Sequence, residues 1–305
     1  TERPHPRGKT VIVAAGDHGV VAPGVTAYPQ SVTGQMVLNF LAGGAAVSVM
    51  ARAAGVDLIV VDAGVAVETT PHPALRRVRV GAGTADISVG PAMSREQAVT
   101  SIMVGADLAT QAADAGADLI GTGDMGIGNT TPSAAIASAT MGRSADVTTG
   151  RGTGRSPAEL RRKADVVRRA LEANRPDAAD PLGVLAKVGG FEIGVLAGVA
   201  LGAAAARRAV VLDGFISGAA ALIADGLCPA VRGYLVASHR SAERGHRAVL
   251  AHLRLRPILD LRLRLGEGTG AVLAMPIVEA AAATLREMAT FAEAGVSDRD
   301  AEGSG

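Results

Sequence analysis

Short apolar segments rich in β-branched residues alternate along the chain with longer segments of helical periodicity. Each short segment is followed by a turn, and these segments are KTVIVAAG (9–16), DLIVVDAG (57–64), ADLIGTG (117–123), AVVLDG (209–214) and GYLVAS (233–238). Alternation of this kind is typical of βαβ units. It predicts an α/β protein with a Rossmann-like, mostly parallel sheet flanked by helices.

The segments between these strands predict helices at 31–54, 94–115, 131–141, 156–173, 181–206 with a break at Gly189-Gly190, 215–226, 241–254 and 270–293. Two starts are marked by a hydroxyl residue before a proline, at Thr131-Pro132 and Ser156-Pro157, which is a common way for a helix to begin. We expect one α/β domain over 1–295, with a smaller helical subdomain formed from the chain ends and a disordered tail at 296–305.

Composition limits the core and the partners. Of 305 residues, 61 are Ala and 39 are Gly, whereas two are Tyr, four are Phe and none is Trp. We therefore expect a core of closely packed aliphatic side chains. A formal net charge of +1 and few aromatic residues argue against nucleic acid as a partner.

The cellular setting follows from the cysteine count and the chain start. The one cysteine, Cys228, predicts a small buried hydrophobe in a reducing cytoplasm. The segment TERPHPRGKT has no signal-peptide core. The longest uncharged run, 31–51, contains polar residues and glycines, so we interpret it as a buried helix and expect no membrane partner.

Four of the five predicted strands end in an acidic residue, namely Asp17, Asp62, Asp124 and Asp213. Open parallel sheets bind ligands in the crevice at the carboxyl ends of their strands, so these carboxylates are expected to face one crevice. The alternative for each is a cap on the helix that follows.

The segment GTGDMGIGNTTP (121–132) contains Gly121-x-Gly123-x-x-Gly126, with Asp146 about twenty residues on. This spacing formally matches the dinucleotide fingerprint, so an NAD(P)-dependent dehydrogenase is one candidate. However, the loop continues through residues 128–131 before a helix begins, which the fingerprint does not do. The feature that remains is a glycine turn at a helix N-terminus, which favours a phosphate.

Three further segments carry candidate chemistry. The glycine-rich loop 149–155 lacks a Walker lysine and predicts a mobile substrate loop or a linker. Lys163 is a candidate because it is one of only three lysines beside 27 arginines, although the usual interpretation is a lysine on the solvated face of a helix. Glu267 lies between two glycines in RLGEGTGA (264–271), where it could be a general base or stabilise a helix dipole. Among the histidines, His18, His239 and His246 lack metal-ligand spacing, so no metal is expected.

Several segments, in order along nearly the whole chain, together resemble the nicotinate-nucleotide:dimethylbenzimidazole phosphoribosyltransferases. They are GDHGVVAPGVTAYPQSVTGQM, GTGDMGIGNTTPSAAIAS, KADVVRRAL, VLAKVGGFEIGVLAGV, VLDGFISGAAAL, SHRSAERGHR and RLGEGTGAVLAMPIVEAA. The resemblance implies transfer of 5-phosphoribose from nicotinate mononucleotide to 5,6-dimethylbenzimidazole, with inversion at C1′, giving α-ribazole 5′-phosphate and nicotinate. It also implies a homodimer and no cofactor.

The resemblance implies a role for individual positions. Glu267 matches the family's general base. Lys163 and the Gly126 loop, with Asn129 and Ser241, resemble its phosphate-binding elements. Asp213, Gly214 and Phe215 resemble the nucleotide-pocket turn, and the benzimidazole pocket corresponds to Tyr28, Met36 and Leu265.

Two features depart from the family pattern. Asp124 stands where relatives carry Glu, so its carboxylate is displaced by about one methylene and any direct contact is expected to differ. The usual N-terminal helical segment, with its KPPGSLGRLE-type motif, does not occur in the sequence given, so either those residues were lost or omitted or this protein lacks that part of the fold. A non-catalytic ligand-binding homologue is therefore a further alternative.

Overall fold

The computed structural model describes residues 4–21, 25–150 and 156–297. Most of the predicted tail and of the 149–155 loop therefore lies outside the described residues. The strands are β1 (Gly8–Gly16), β2 (Asp57–Gly64), β3 (Leu75–Arg77), β4 (Ala117–Met125), β5 (Ala209–Leu212) and β6 (Leu235–Ala237). The α-helices are α1 (Ser31–Leu41), α2 (Ala46–Ala54), α3 (Arg95–Asp114), α4 (Thr130–Met141), α5 (Ala145–Thr148), α6 (Pro157–Asn174), α7 (Pro181–Val188), α8 (Phe191–Ala205), α9 (Phe215–Leu227), α10 (Arg244–Leu253), α11 (Thr269–Glu287) and α12 (Phe291–Ala294).

The described strands form one parallel sheet in the order β3-β2-β1-β4-β5-β6, which confirms the predicted Rossmann-like architecture. The chain moves outward on one side from β1 to β3 and on the other side from β4 to β6. The order therefore reverses between β1 and β4, and open α/β sheets bind ligands near such a reversal, at the carboxyl ends of the strands. The strand β3 was not predicted because Leu75–Arg77 is short and has two exposed arginines.

Helices cover both faces of the sheet. On one face α1 and α2 bury Phe40 and Val47 against β2, and α11 buries Met275 against β1, β4 and β5. These helices come from the chain ends, where the sequence predicts a helical subdomain, and they pack directly on the sheet. On the other face α8 lies against β1, β2, β4 and β5, with α3 and α9 packed on it.

The predicted single helix over 31–54 is wrong, because the chain breaks between α1 and α2 at Gly43, which has a φ of 76°. The segments Ser31–Ala54 and Thr269–Glu287 are each long and apolar enough to cross a membrane by composition. In this fold both pack against the sheet, which buries part of each segment. The helix predicted at 270–293 is also interrupted, since α11 ends at Glu287.

The contact between α3 and α8 requires glycine at particular positions. A Cβ atom built on Gly105 would lie 1.9 Å from the Val195 carbonyl oxygen, and one built on Gly198 would lie 1.9 Å from that of Ile102. The two helix backbones are therefore in direct contact, and only glycine fits at these positions. The two helices therefore pack closely without large side chains between them.

Candidate active site

A cavity of about 380 Å³ opens beyond the carboxyl ends of β4 and β5. The predicted site residues that line it are Tyr28, Met36, Asp124, Gly126, Asn129, Lys163, Gly214, Phe215, Ser241, Leu265 and Glu267. They come from six separate parts of the chain, which the fold brings together around one space. Asp213 is the exception, because it lies behind the wall rather than in it.

Glu267 reaches the cavity from an unusual turn just before α11. Gly266, Glu267 and Gly268 have φ angles of 81°, 64° and 93°, so a non-glycine residue occupies the left-handed region between two glycines. The turn crosses β4 so closely that a Cβ atom on Gly123 would lie 2.4 Å from the Glu267 carbonyl oxygen. Glycine at 123 is thus required for the turn to approach the strand.

The carboxylate of Glu267 is buried, with 5% of the residue exposed. Its Oε2 atom accepts a hydrogen bond from the Val47 N–H at 3.2 Å. Burial raises the pKa of Glu267, and this hydrogen bond opposes the rise. A carboxylate with a raised pKa holds a proton more readily than an exposed one, as a general base requires.

A second part of the cavity is suited to an anion. Lys163 is buried, and its Nζ donates to Thr130 Oγ1, at the first residue of α4. Hydrogen bonds of Thr33 fix the loop that precedes this helix. Thr33 Oγ1 accepts from the Ile127 N–H at 3.1 Å and donates to Asp17 Oδ1 at 2.7 Å. A lysine beside a glycine-rich helix N-terminus is a favourable place for a phosphate.

The four strand-end acids do not all face the crevice, so that prediction is wrong. Asp124 lines the cavity and accepts from Asn129 Nδ2 at 2.9 Å, and burial raises its pKa to about 7. Asp17 and Asp62 instead accept backbone N–H groups, at Ala66 and Val65 respectively. An aspartate at a strand end has such groups within reach, and these compensate its burial.

Asp213 was predicted to bind substrate, but the turn after Glu267 occupies its side chain. Its carboxylate accepts from the N–H groups of Gly268, Gly270 and Ala271. Burial raises the pKa of Asp213 to about 8, the nearby charge of Asp124 adds to the rise, and the three N–H groups oppose it. Its neighbours Gly214 and Phe215 do line the cavity.

Some lining residues were not predicted as site residues, namely Val25, Thr26, Val32, Met125, Ile127, Gly128, Thr130, Ile216, His239, Glu243, Arg264 and Gly266. His239 is buried, and its Nδ1 lies 3.1 Å from Ser238 Oγ. Burial lowers the pKa of His239 to about 4, which keeps the imidazole neutral. His239 and Glu243 lie within SHRSAERGHR, so the resemblance could have signalled both. Within the ranges that the structure describes, no three His, Cys, Asp or Glu side chains are placed to hold a metal ion.

A buried ion pair lies behind the loop that contains Gly126. His18 Nε2 is 3.0 Å from Glu192 Oε1, and both residues are inaccessible to solvent. Burial alone would lower the pKa of His18, but Glu192 first, and then Asp17 and Asp124, outweigh it and raise the pKa. The sequence feature that could have indicated this pair is Glu192, the one acid in the apolar helix α8.

The dinucleotide interpretation does not fit the structure. Gly121 and Gly123 lie inside β4 rather than in a turn, and α4 begins only at Thr130. Asp146 is exposed and pairs with Arg168, outside the cavity. The glycines of β4 instead allow α11 and its preceding turn to approach the strand.

Two remaining predictions have different outcomes. Cys228 is exposed after the end of α9, so the prediction of a buried hydrophobe is wrong. In the 149–155 loop, Gly150 lies against the carboxylate of Glu243, where a Cβ atom would come within 1.9 Å of Oε2. Residues 151–155 lie outside the described ranges.

Comparison with known proteins confirms the family that the sequence motifs resemble. A family model described as phosphoribosyltransferase matches residues 1–296. The nicotinate-nucleotide–dimethylbenzimidazole phosphoribosyltransferase of Roseiflexus sp. (strain RS-1) is 59% identical, with 98% of this chain and 84% of that protein covered. Its namesake from Chloroflexus aurantiacus (strain ATCC 29366 / DSM 635 / J-10-fl) is 58% identical, with 98% and 85% covered. The crystal structure of CobT from Thermus thermophilus superposes with a TM-score of 0.93 at 50% identity, covering 97% of this chain and 88% of that one. The chain therefore belongs to the nicotinate-nucleotide:dimethylbenzimidazole phosphoribosyltransferase family.

Proposed function

We propose that this protein transfers the 5-phosphoribosyl group of nicotinate mononucleotide to 5,6-dimethylbenzimidazole, giving α-ribazole 5′-phosphate and nicotinate. The observation that carries the proposal is that one cavity contains both a buried carboxyl group, Glu267, and a buried lysine, Lys163, beside the N-terminus of α4. The first suits proton removal from an azole, and the second suits the phosphate of a nucleotide.

The chemistry needs little electrophilic help from the protein. The ring nitrogen of nicotinate mononucleotide is a pyridinium, so breaking its bond to C1′ neutralises a cation and leaves oxocarbenium character on the sugar. One benzimidazole nitrogen attacks C1′ from the opposite face and inverts the anomer from β to α. The protein's main tasks are then to hold both substrates in line and to remove one proton.

Glu267 is proposed to remove that proton. The second benzimidazole nitrogen carries an N–H whose deprotonation makes the attacking nitrogen more nucleophilic. A carboxylate whose pKa is raised by burial is a stronger base than an exposed one, and its position in the cavity wall supports direct contact with the azole. Proton removal of this kind contributes typically about 10²- to 10⁴-fold to a rate.

The substrates are proposed to divide the cavity by polarity. Lys163, Thr130 and the Gly126 loop would hold the phosphate. Tyr28, Met36 and Leu265 would grip the flat bicyclic base. Apolar and thioether groups suit such a ring in a chain with few aromatics, since they pack against it without demanding hydrogen bonds.

The test is phosphoribosyl transfer by purified protein, measured with Glu267→Gln beside the wild type. We expect the wild type to form α-ribazole 5′-phosphate and the variant to lose about 10²- to 10⁴-fold in kcat, with unchanged affinity for nicotinate mononucleotide. Glu279→Gln is the matched control, because Glu279 lies on the adjoining helix α11 but pairs with Lys9 outside the cavity. It should retain wild-type kcat.

The outcomes separate the alternatives. Undiminished turnover by Glu267→Gln would refute the assignment of the base. A wild type that binds nicotinate mononucleotide but transfers nothing would indicate the non-catalytic homologue. Saturation by NAD without binding of nicotinate mononucleotide would indicate a dehydrogenase.

We also propose that the protein is a cytoplasmic homodimer. The presence of one cysteine, Cys228, suits a reducing cytoplasm. The dimer is supported by apolar side chains that are exposed on and after α11, at Leu285, Met288 and Phe291, since such side chains suit an interface. Sedimentation equilibrium of the purified protein tests the dimer, and a mass equal to one chain would refute it.

A further inference from the structure

Asp213 is a buried acid that the cavity does not use. It follows β5 and is 1% exposed. Its Oδ2 accepts from the Gly268 N–H at 3.2 Å, and its Oδ1 accepts from the N–H groups of Gly270 at 2.7 Å and Ala271 at 3.3 Å. These N–H groups belong to the start of α11, where a helix has no internal acceptors for them. Asp213 is therefore the acceptor that anchors this helix start to the sheet.

Glu267 lies just ahead of these anchored N–H groups, at the centre of the left-handed turn formed by residues 266–268. Its backbone has a φ of 64°, a conformation that residues with a Cβ atom avoid and that persists only where the surroundings impose it. On the upstream side the Glu267 N–H donates to the Asp124 carbonyl oxygen at 3.1 Å. On the downstream side, Asp213 holds the next N–H groups.

The packing around Asp213 leaves no room for a side chain at position 270. A Cβ atom on Gly270 would lie 2.7 Å from Asp213 Oδ1 and 2.0 Å from His239 Nδ1. The carboxylate thus packs directly against the backbone of the turn, with the imidazole beside it. Neither water nor another side chain fits between Asp213 and the groups it holds.

We propose that Asp213 is a positioning residue, which fixes the left-handed turn at 266–268 and so directs the Glu267 carboxylate into the cavity. This inference rests on the proposed role of Glu267 as the general base. Asp213 does not touch substrate in this arrangement. Its contribution to the rate therefore exists only while residue 267 can accept a proton.

A double-mutant cycle of Asp213→Asn and Glu267→Gln tests the dependence. Asparagine has one side-chain oxygen in place of two, so at least one N–H group of the turn loses its acceptor. We expect Asp213→Asn to lower kcat by about 10- to 100-fold, the scale of a small misplacement of a catalytic group, with an unchanged Kd for nicotinate mononucleotide. In the Glu267→Gln background the same change should lower kcat by less than about twofold, because effects of residues that act as a unit are not additive.

Asp62→Asn is the matched control. Asp62 is also a buried acid at a strand end, and it accepts from the Val65 N–H at 2.9 Å and from Thr69 Oγ1 at 2.7 Å, outside the cavity. It should lower the denaturation midpoint and leave kcat unchanged. Asp213→Glu serves where Asp213→Asn fails to fold, because it keeps the carboxyl group while moving it by one methylene, and it should lower kcat without changing that Kd.

Specific results would overturn the inference. Equal losses from Asp213→Asn in both backgrounds would show that Asp213 acts independently of Glu267, and a weakened Kd would indicate a substrate contact. A wild type without transfer would instead refute the proposed function. In that case a crystal structure of Asp213→Asn still decides the inference, since an unchanged turn at 266–268 would contradict it.

Discussion

The left-handed backbone at Glu267 predicts that the proposed base lowers the stability of the fold. Its φ is 64°, and for a residue with a Cβ atom this conformation costs roughly 1–2 kcal/mol. Glu267→Ala keeps that strain, whereas Glu267→Gly removes it. Glycine also has about 0.4–1 kcal/mol more conformational entropy to lose on folding. The glycine variant should therefore be more stable than the alanine variant by about 1 kcal/mol.

The comparison isolates the backbone, because both variants lose the same carboxylate and the same hydrogen bond from Val47. The assay is urea denaturation with the free energy of unfolding extrapolated to water. The control is the same pair at Arg169, which is exposed in the middle of α6. There the order should reverse, with Arg169→Ala more stable than Arg169→Gly by up to about 1 kcal/mol. An alanine variant at 267 as stable as the glycine variant would refute the claim of strain.

Two further predictions concern packing and buried charge. Gly198→Ala should lower the free energy of unfolding by about 1–3 kcal/mol, because its Cβ would lie 1.9 Å from the Ile102 carbonyl oxygen. Gly34→Ala is the control, since the nearest contact of its Cβ is at 3.7 Å, and it should raise the free energy of unfolding by up to about 1 kcal/mol. Equal effects of the two substitutions in urea denaturation would contradict the close contact of α3 and α8. The raised pKa of His18 beside Glu192 implies stability that is fully present below the unfolded pKa of about 6.5 and is lost as pH rises through the higher folded pKa. The difference in denaturation midpoint between wild type and His18→Gln should therefore shrink as pH rises through that range, and a pH-independent difference would contradict the ion pair.

Much of the fold follows from local pattern. Parallel strands buried on both faces require continuous apolar runs, and the segments at 9–16, 57–64 and 117–123 show them clearly. The strand β3 lacks such a run, because it lies at the sheet edge with exposed arginines. The break at Gly43 was missed because glycine is compatible with both a helix interior and a left-handed turn.

The site was only partly accessible to the same reasoning. Strand-end acids are correctly placed near the carboxyl edge of the sheet by topology, but the cavity takes only Asp124. Asp17, Asp62 and Asp213 instead satisfy backbone N–H groups, which sequence pattern alone cannot assign. The pair of His18 and Glu192 was missed for a similar reason, since its partners are far apart in the chain.

By itself, the sequence determined the strand and helix periodicity, the family motifs and the turn in which Glu267 lies between two glycines. These features depend on side-chain type and spacing, which are local. Tertiary structure alone decided which carboxylate faces the cavity, which one anchors the helix behind it, and why Gly123 must lack a side chain. Those outcomes depend on the distance between separate segments, because a buried polar group is stabilised by whichever hydrogen-bond partner the fold brings within reach.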